Sequence, residues 1–201
     1  MPSRKLPRAF YTRPDVLAVA RDLLGAVLVV STGRGGRVSG LIVETEAYRG
    51  PEDRASHAWN GRRTRRTETM YAVGGTAYVY FVYGMYHQFN VVTGVPEVPH
   101  AVLIRALEPV VGIGDTTHGP GLLCRAMHID RELNGSDLRQ APLWIERPAT
   151  YRRPRVARSA RIGVDYAGDW ALKPWRFFDR DSPYVSTISA AQRKKVLKTR
   201  G

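Results

Sequence analysis

The spacing of apolar positions changes several times along the chain, and each change marks an element. Val16, Leu17, Val19, Ala20, Leu23 and Leu24 recur at helical spacing. Asp15 before them can cap and Gly25 after them can stop, so a helix is predicted over 15–24. The pattern then turns strand-like over 26–30 and 38–48, two strands joined through Gly33-Arg34-Gly35-Gly36. Residues 50–75 are polar and Arg-rich, a loop with one short helical piece and longer than a routine connection. Strand patterning returns over 76–83 and 87–93, a hairpin reversing at Tyr83-Gly84-Met85-Tyr86, and again over 101–107. Gly119-Pro120-Gly121 opens a helix running to about Ile129, and 143–146 is a further strand. The stretch 161–178 is mixed, with Trp170, Trp175, Phe177 and Phe178 available as core. Strands dominate and short connections favour antiparallel neighbours. The expected fold is therefore α+β: one domain, a curved and mostly antiparallel sheet, flanking helices and a protruding hairpin.

Size and composition narrow the picture. A chain of 201 residues, 43% hydrophobic, can bury a real core as one domain, here about residues 10–190 followed by a basic tail. No apolar run approaches the ~20 residues that span a bilayer, and Met1-Pro2-Ser3-Arg4-Lys5 lacks the apolar core of a secretory signal, so no membrane partner is expected. A single cysteine, Cys124, excludes an internal disulfide and fits a reducing compartment. Its apolar neighbours Leu122, Leu123, Ala126 and Met127 favour a buried thiol over a nucleophile.

Charge changes the picture more. The net charge of +13 and the pI of about 10.4 make a polyanion the leading partner. The excess is clustered in Arg62-Arg63-Thr64-Arg65-Arg66, in Arg152-Arg153-Pro154-Arg155 and in Arg193-Lys194-Lys195-Val196-Leu197-Lys198. One cluster is ordinarily a solvated face; three together point to phosphate contacts, with Arg62, Arg63, Arg65 and Arg66 the candidates.

Candidate chemistry concentrates in Val43-Glu44-Thr45-Glu46-Ala47-Tyr48-Arg49-Gly50-Pro51-Glu52-Asp53 with His57. On a strand, Glu44, Glu46 and Tyr48 project together and Val43, Thr45 and Ala47 oppositely. A carboxylate beside a flat aromatic surface suits a site that grips a planar group and activates water against it; ordinary surface acids give the same pattern. The hairpin carries Tyr83, Met85 and Tyr86 where polar turn residues are usual. Such a tip can be a wedge between base steps, or its side chains can fold back onto the core. Asn90 and Arg105 lie inside apolar strands, and a buried arginine needs an acid: Glu44, Glu46 or its neighbour Glu108. An arginine near Glu46 would favour the ionised form that draws a proton from water.

These motifs together resemble the mammalian-type 3-methyladenine (alkyladenine) DNA glycosylase family. The resemblance rests on Val43-Glu44-Thr45-Glu46-Ala47-Tyr48, Gly50-Pro51-Glu52-Asp53 with His57, Tyr78-Val79-Tyr80 with Tyr83-Gly84-Met85, and Arg105-Ala106-Leu107-Glu108-Pro109. Gly119-Pro120-Gly121-Leu122-Leu123-Cys124, Arg161-Ile162-Gly163-Val164 and Lys173-Pro174-Trp175-Arg176-Phe177 extend it over roughly residues 10–190. It implies a monofunctional enzyme that flips a damaged purine out of double-stranded DNA and hydrolyses its N-glycosidic bond, with no cofactor and no metal, and as a monomer. It further implies Glu46 as general base, Arg105 and the main-chain carbonyl of Ile162 holding the water, and Tyr48, His57 and Tyr80 around the base. Asn90 would lie at the pocket floor and Tyr83 would fill the gap in the duplex. The expected location is the cytoplasm, at the nucleoid, in a bacterium, or the nucleus in a eukaryote.

Three other classes would need different residues or a different use of Glu46. A glycosylase-lyase needs an amine nucleophile, and Lys5, Lys173, Lys194, Lys195 and Lys198 all lie outside the Glu46 and Tyr80 motifs. A metal-dependent nuclease needs clustered ligands, and His57, His87, His100, His118 and His128 show no ligand spacing. A catalytically silent damaged-DNA-binding protein would share the basic surface and the wedge, and differs in what Glu46 does.

Overall fold

The computed structural model describes residues 3–186, apart from 34, 115, 149, 151 and 152. Its strands are β1 (Arg4–Lys5), β2 (Val27–Gly33), β3 (Gly36–Arg49), β4 (Ala77–Val82), β5 (Tyr86–Thr93), β6 (His100–Val111), β7 (Arg139–Gln140), β8 (Leu143–Arg147), β9 (Val156–Ser159) and β10 (Arg176–Asp179). They form one sheet in the order β1-β8-β2-β3-β6-β5-β4, and every pairing between named strands is antiparallel. The fold is α+β, as the strand-rich pattern led us to expect.

Strand β3 organises the molecule. Its first half pairs with β2, its second half pairs with β10 over Glu44 to Glu46, and β6 runs along its other edge. The β3–β6 register shifts between Ile42 and Glu44 and again between Glu44 and Thr45, leaving Val43 and Arg105 without a residue directly opposite. Such bulges re-aim side chains. One consequence is visible in the packing: Ile42 and Ala47 join the same core cluster, although a regular strand would turn them to opposite faces.

The helices are short. In α2 (Val16–Asp22) the Asp15 carboxylate accepts the Leu17 N–H as an N-cap, and Gly25 follows at φ +76°. It packs over β3 and β6, burying Val16, Val19 and Ala20. Helix α3 (Pro120–Ala126) stops short of the predicted Ile129, because His128 takes a left-handed φ of +55°. It lies over β5 and β6 and buries Cys124, whose thiol is pushed up to about 12 by burial. A further single turn, α1 (Arg8–Tyr11), precedes α2 and was not read from the pattern.

The loop 50–75 holds three 3-10 turns, Gly50–Glu52, Trp59–Gly61 and Glu68–Tyr71, rather than one helical piece. Strands β1, β7, β9 and β10 were not predicted either. Each is four residues or fewer, too short for alternation to register. Trp175 and Phe177 are core as expected, Trp170 packs against that core, and Phe178 is half-buried beneath the Arg176 guanidinium.

Candidate active site

The second half of β3 gathers the acids. Glu44, Glu46 and Tyr48 share one side of the strand, while the Thr45 hydroxyl donates to the Ala20 carbonyl of α2 on the other. Both glutamates are fully buried, at 0% exposure. Arg105, aimed from its bulge on β6, sets its Nε 2.9 Å from Glu44 and one terminal nitrogen 3.3 Å from Glu46. The arginine's partners are thus the two β3 acids. Burial works against its charge, and the two carboxylates outweigh that and raise its pKa.

The two acids differ in their contacts. Glu44 Oε1 accepts from Arg105 Nε (2.9 Å), Arg176 Nε (2.6 Å) and the Ser186 hydroxyl (2.8 Å), and its Oε2 accepts the Ser186 N–H (2.6 Å). Burial pushes its pKa up, but the Arg105 and Arg176 charges and these hydrogen bonds hold it below the ordinary value. Glu46 accepts two hydrogen bonds, from the Ile162 N–H at 2.8 Å on Oε1 and from the Tyr48 hydroxyl at 2.8 Å on Oε2, and its Oε1 is paired with Arg105. An oxygen with a single donor keeps a lone pair for another, and Oε2 of Glu46 is such an oxygen. Burial and the adjacent Glu46 charge push the Tyr48 phenol well above its ordinary pKa, which keeps its proton in place as a donor.

All three residues in contact with Glu46 line a cavity of about 160 Å³, so the acid stands one residue behind the wall. A cavity of roughly 150 Å³ holds a single small aromatic ring, and this one continues outward through an open mouth. Tyr48, Tyr80, His57 and Asn90, separate in the sequence, all lie on its wall, and so do Tyr78 and Tyr166, which the sequence reasoning did not single out. The Tyr78 hydroxyl is 3.0 Å from His57 Nδ1, and the His57 and Tyr80 rings meet edge-on at 4.7 Å. Asn90 is buried and donates to the Tyr78 carbonyl at 3.3 Å. Burial, with the charges of Arg66 and Arg62, lowers the His57 pKa to about 4, so the imidazole is neutral at pH 7.

A buried ion pair braces this wall. Arg161 grips both Asp53 oxygens, at 2.5 and 2.8 Å, with both side chains wholly buried, and also donates to the carbonyls of Ala47 and Trp170. Its guanidinium lies 4.8 Å from the centre of the Tyr48 ring. Through Arg161, the loop after β3 and the 161–164 segment hold Ile162 against Glu46. Both residues sit within the motifs read from the sequence, but only their pairing shows what they do. Ile162 meets Glu46 through its amide N–H, a contact additional to the water-holding carbonyl that the resemblance implies.

The hairpin tip divides. Tyr83 and Met85 stand out at 79% and 66% exposure, and Tyr83 and Gly84 both take positive φ in the reversing turn. Tyr86 does not belong to the exposed tip: it is half-buried against Gly121 of α3, where even a single added methyl would meet its ring at 2.7 Å. The arginine cluster divides too. Arg62, Arg63, Arg65 and Arg66 are all exposed. Arg63 is clamped between Glu68 (2.7 Å) and Glu97 (2.5 Å), so its charge is locally spent. Arg62 and Arg66 instead face a groove beside the cavity, shared with Arg54, Trp59 and Thr64. In the second cluster Arg155 pairs with Asp181, while Arg152 and the tail from Arg193 to Lys198 lie outside the described residues. Among the described residues no group of three or more His, Cys, Asp or Glu is placed to hold a metal ion.

The sequence profile of the methylpurine-DNA glycosylase family matches residues 9–183. A protein of Myxococcus xanthus is 50% identical over 192 residues, covering 94% of this chain and 97% of its own. One of Anaeromyxobacter dehalogenans is 54% identical over 90% of this chain and 86% of its own, and one of Legionella pneumophila is 48% identical over 91% and 98%. All three carry the name "Putative 3-methyladenine DNA glycosylase".

Proposed function

Since the chain belongs to the methylpurine-DNA glycosylase family and is a DNA glycosylase acting on damaged DNA, we propose that Glu46 activates the water that releases the base. The proposed substrates are 3-methyladenine, 7-methylguanine, hypoxanthine and ethenoadenine, flipped from the duplex. The observation that carries this reading is where the contacts of each acid lie: Glu46 touches Tyr48, Arg105 and Ile162, which all line the cavity, whereas Glu44 is held mainly by Arg176 and Ser186, which do not.

The chemistry follows from that geometry. Extruding the nucleotide costs a few kcal/mol, least where the pair is already weakened. Tyr83 at the hairpin tip fills the gap, and the base enters between Tyr48 and Tyr80 beside His57. Water attacks C1′ as the N-glycosidic bond breaks, and the bonding electron pair leaves with the base. For a base alkylated at N3 or N7 that pair neutralises its positive charge, so it departs without a proton from the protein. The proton lost by the water passes to Glu46, whose negative charge close behind the cavity wall also stabilises the positive charge developing on the sugar. Arg105 and the Ile162 main chain fix the acid and the water. Hypoxanthine and ethenoadenine leave as anions that must be protonated; the proton taken from the attacking water balances this need, and His57, neutral at pH 7, is not the acid. The bacterial relatives support a site of action on nucleoid DNA.

A set of duplexes each bearing one of these lesions, assayed for abasic sites with EDTA present, tests the proposal. Abasic sites without a borohydride-trapped adduct are expected. Tight lesion binding with no base released would identify a catalytically silent binder instead, and a trapped adduct would identify a lyase.

A further inference from the structure

The charges behind the cavity wall cancel. Glu44, Glu46 and Asp53 are opposed by Arg105, Arg161 and Arg176, each in contact with one or more of them. Arg66 is outside this balance. It lies on the cavity wall with its guanidinium carbon 5.0 Å from the centre of the Tyr80 ring, next to the Tyr78 hydroxyl. Among the described residues no acid pairs with it. Arg161 uses the Tyr48 ring in a similar way, but Asp53 neutralises its charge on the spot. The pocket therefore holds an uncompensated cation against one of the two rings between which the base would stack.

We infer that Arg66 sets the charge preference of the base pocket, disfavouring nucleotides whose base is permanently cationic relative to neutral bases of similar size. A base alkylated at N7 brings a second positive charge to a ring face that a guanidinium already occupies. In a partly buried space the two charges repel far more strongly than in water. A deaminated base meets no such opposition. The inference rests on the glycosylase reading for its substrate classes, while the placement of Arg66 does not.

The test is Arg66→Gln, which keeps a polar side chain of comparable reach and removes the charge. Single-turnover release of 7-methylguanine and of hypoxanthine is compared in one duplex context at about pH 6. The ratio of the two rate constants is expected to shift at least about tenfold towards 7-methylguanine, and Arg66→Lys is expected to keep the parent ratio. The intrinsic lability of the alkylated base cancels in this comparison between variants. Equal losses on both lesions would make Arg66 a phosphate contact and overturn the inference, as would a shift towards hypoxanthine. A second readout needs no excision: Arg66→Gln is expected to raise the NMR titration midpoint of His57 from its low value, part of which comes from the Arg66 charge. An unmoved midpoint would remove Arg66 from the pocket. If the parent releases neither base, the glycosylase reading fails, and competition between 7-methylguanosine and inosine for the pocket decides the charge preference alone. A stronger relative gain for 7-methylguanosine in Arg66→Gln supports it, and no gain sinks it.

Discussion

Glu44 and Glu46 stand two residues apart on one face of β3, both fully buried and both touching Arg105, yet they are in different chemical situations. Glu44 is enclosed by Arg105, Arg176 and Ser186 and accepts four hydrogen bonds from them. It ties β3, β6, β10 and the segment after β10 together. Glu46 accepts two hydrogen bonds and pairs with Arg105, and every residue it meets also lines the cavity. An acid bound on all sides by structural partners holds a fold, whereas one held only by the wall of a pocket can act on what enters it. Burial and ion pairing, which the two share, do not distinguish them; the place of their contacts does.

The largest expected effect outside the pocket is on the Glu44 side. Glu44→Gln leaves Arg176 and half of Arg105 buried without their anion, and chemical denaturation is expected to show a loss of about 3–5 kcal/mol. A loss within 1 kcal/mol would erase the distinction drawn here. Acid should find the same weakness. Because the folded pKa of Glu44 is depressed, the stability it confers is present above the unfolded value of 4.5 and is lost as pH falls through the folded one.

His57 marks the pocket side by a different pH window. Its folded pKa of about 4 lies below the unfolded 6.5, so its contribution is complete above pH 6.5 and disappears as pH falls towards 4, by about 3 kcal/mol in all. Stability curves of the parent and His57→Gln should therefore separate between pH 6.5 and 4 and run parallel above it. Parallel curves throughout would mean that the imidazole is not held neutral. Tyr48→Phe removes one Glu46 donor and is expected to cost about 1 kcal/mol of stability while changing base release more than folding. The smallest effect concerns the surface. Arg62→Gln should lower the slope of log affinity against log salt by about 0.9, and Arg63→Gln should barely change it, since Glu68 and Glu97 already hold that charge. Identical slopes for the two variants would mean that their surroundings do not matter.

Local pattern made much of this legible. Alternation along β3 placed Glu44, Glu46 and Tyr48 together, and the cost of an unpaired buried arginine pointed Arg105 at Glu44, Glu46 or Glu108, of which the structure selects the first two. The Asp15 cap and the hairpin turn were visible for the same local reasons. What could not be read were relations between distant segments. Arg161 with Asp53, Arg176 with Glu44 and Tyr86 with Gly121 each join parts of the chain that no short-range period connects. The neutralised Arg63 is a surface case of the same limit, because Glu97 lies 34 residues away. The family resemblance singled out Glu46 as the base; the contacts around Glu44 show what the other acid of β3 does.

The central claim is tested most directly by single-turnover base release from one lesion duplex by Glu46→Gln and Glu44→Gln, at a temperature where both variants are folded. Glu46→Gln is expected to bind the lesion but release its base some 10²–10⁴-fold more slowly than the parent. Glu44→Gln, though less stable, should stay within about tenfold. Release by Glu46→Gln at the parent rate, or equal losses in the two variants, would contradict that claim.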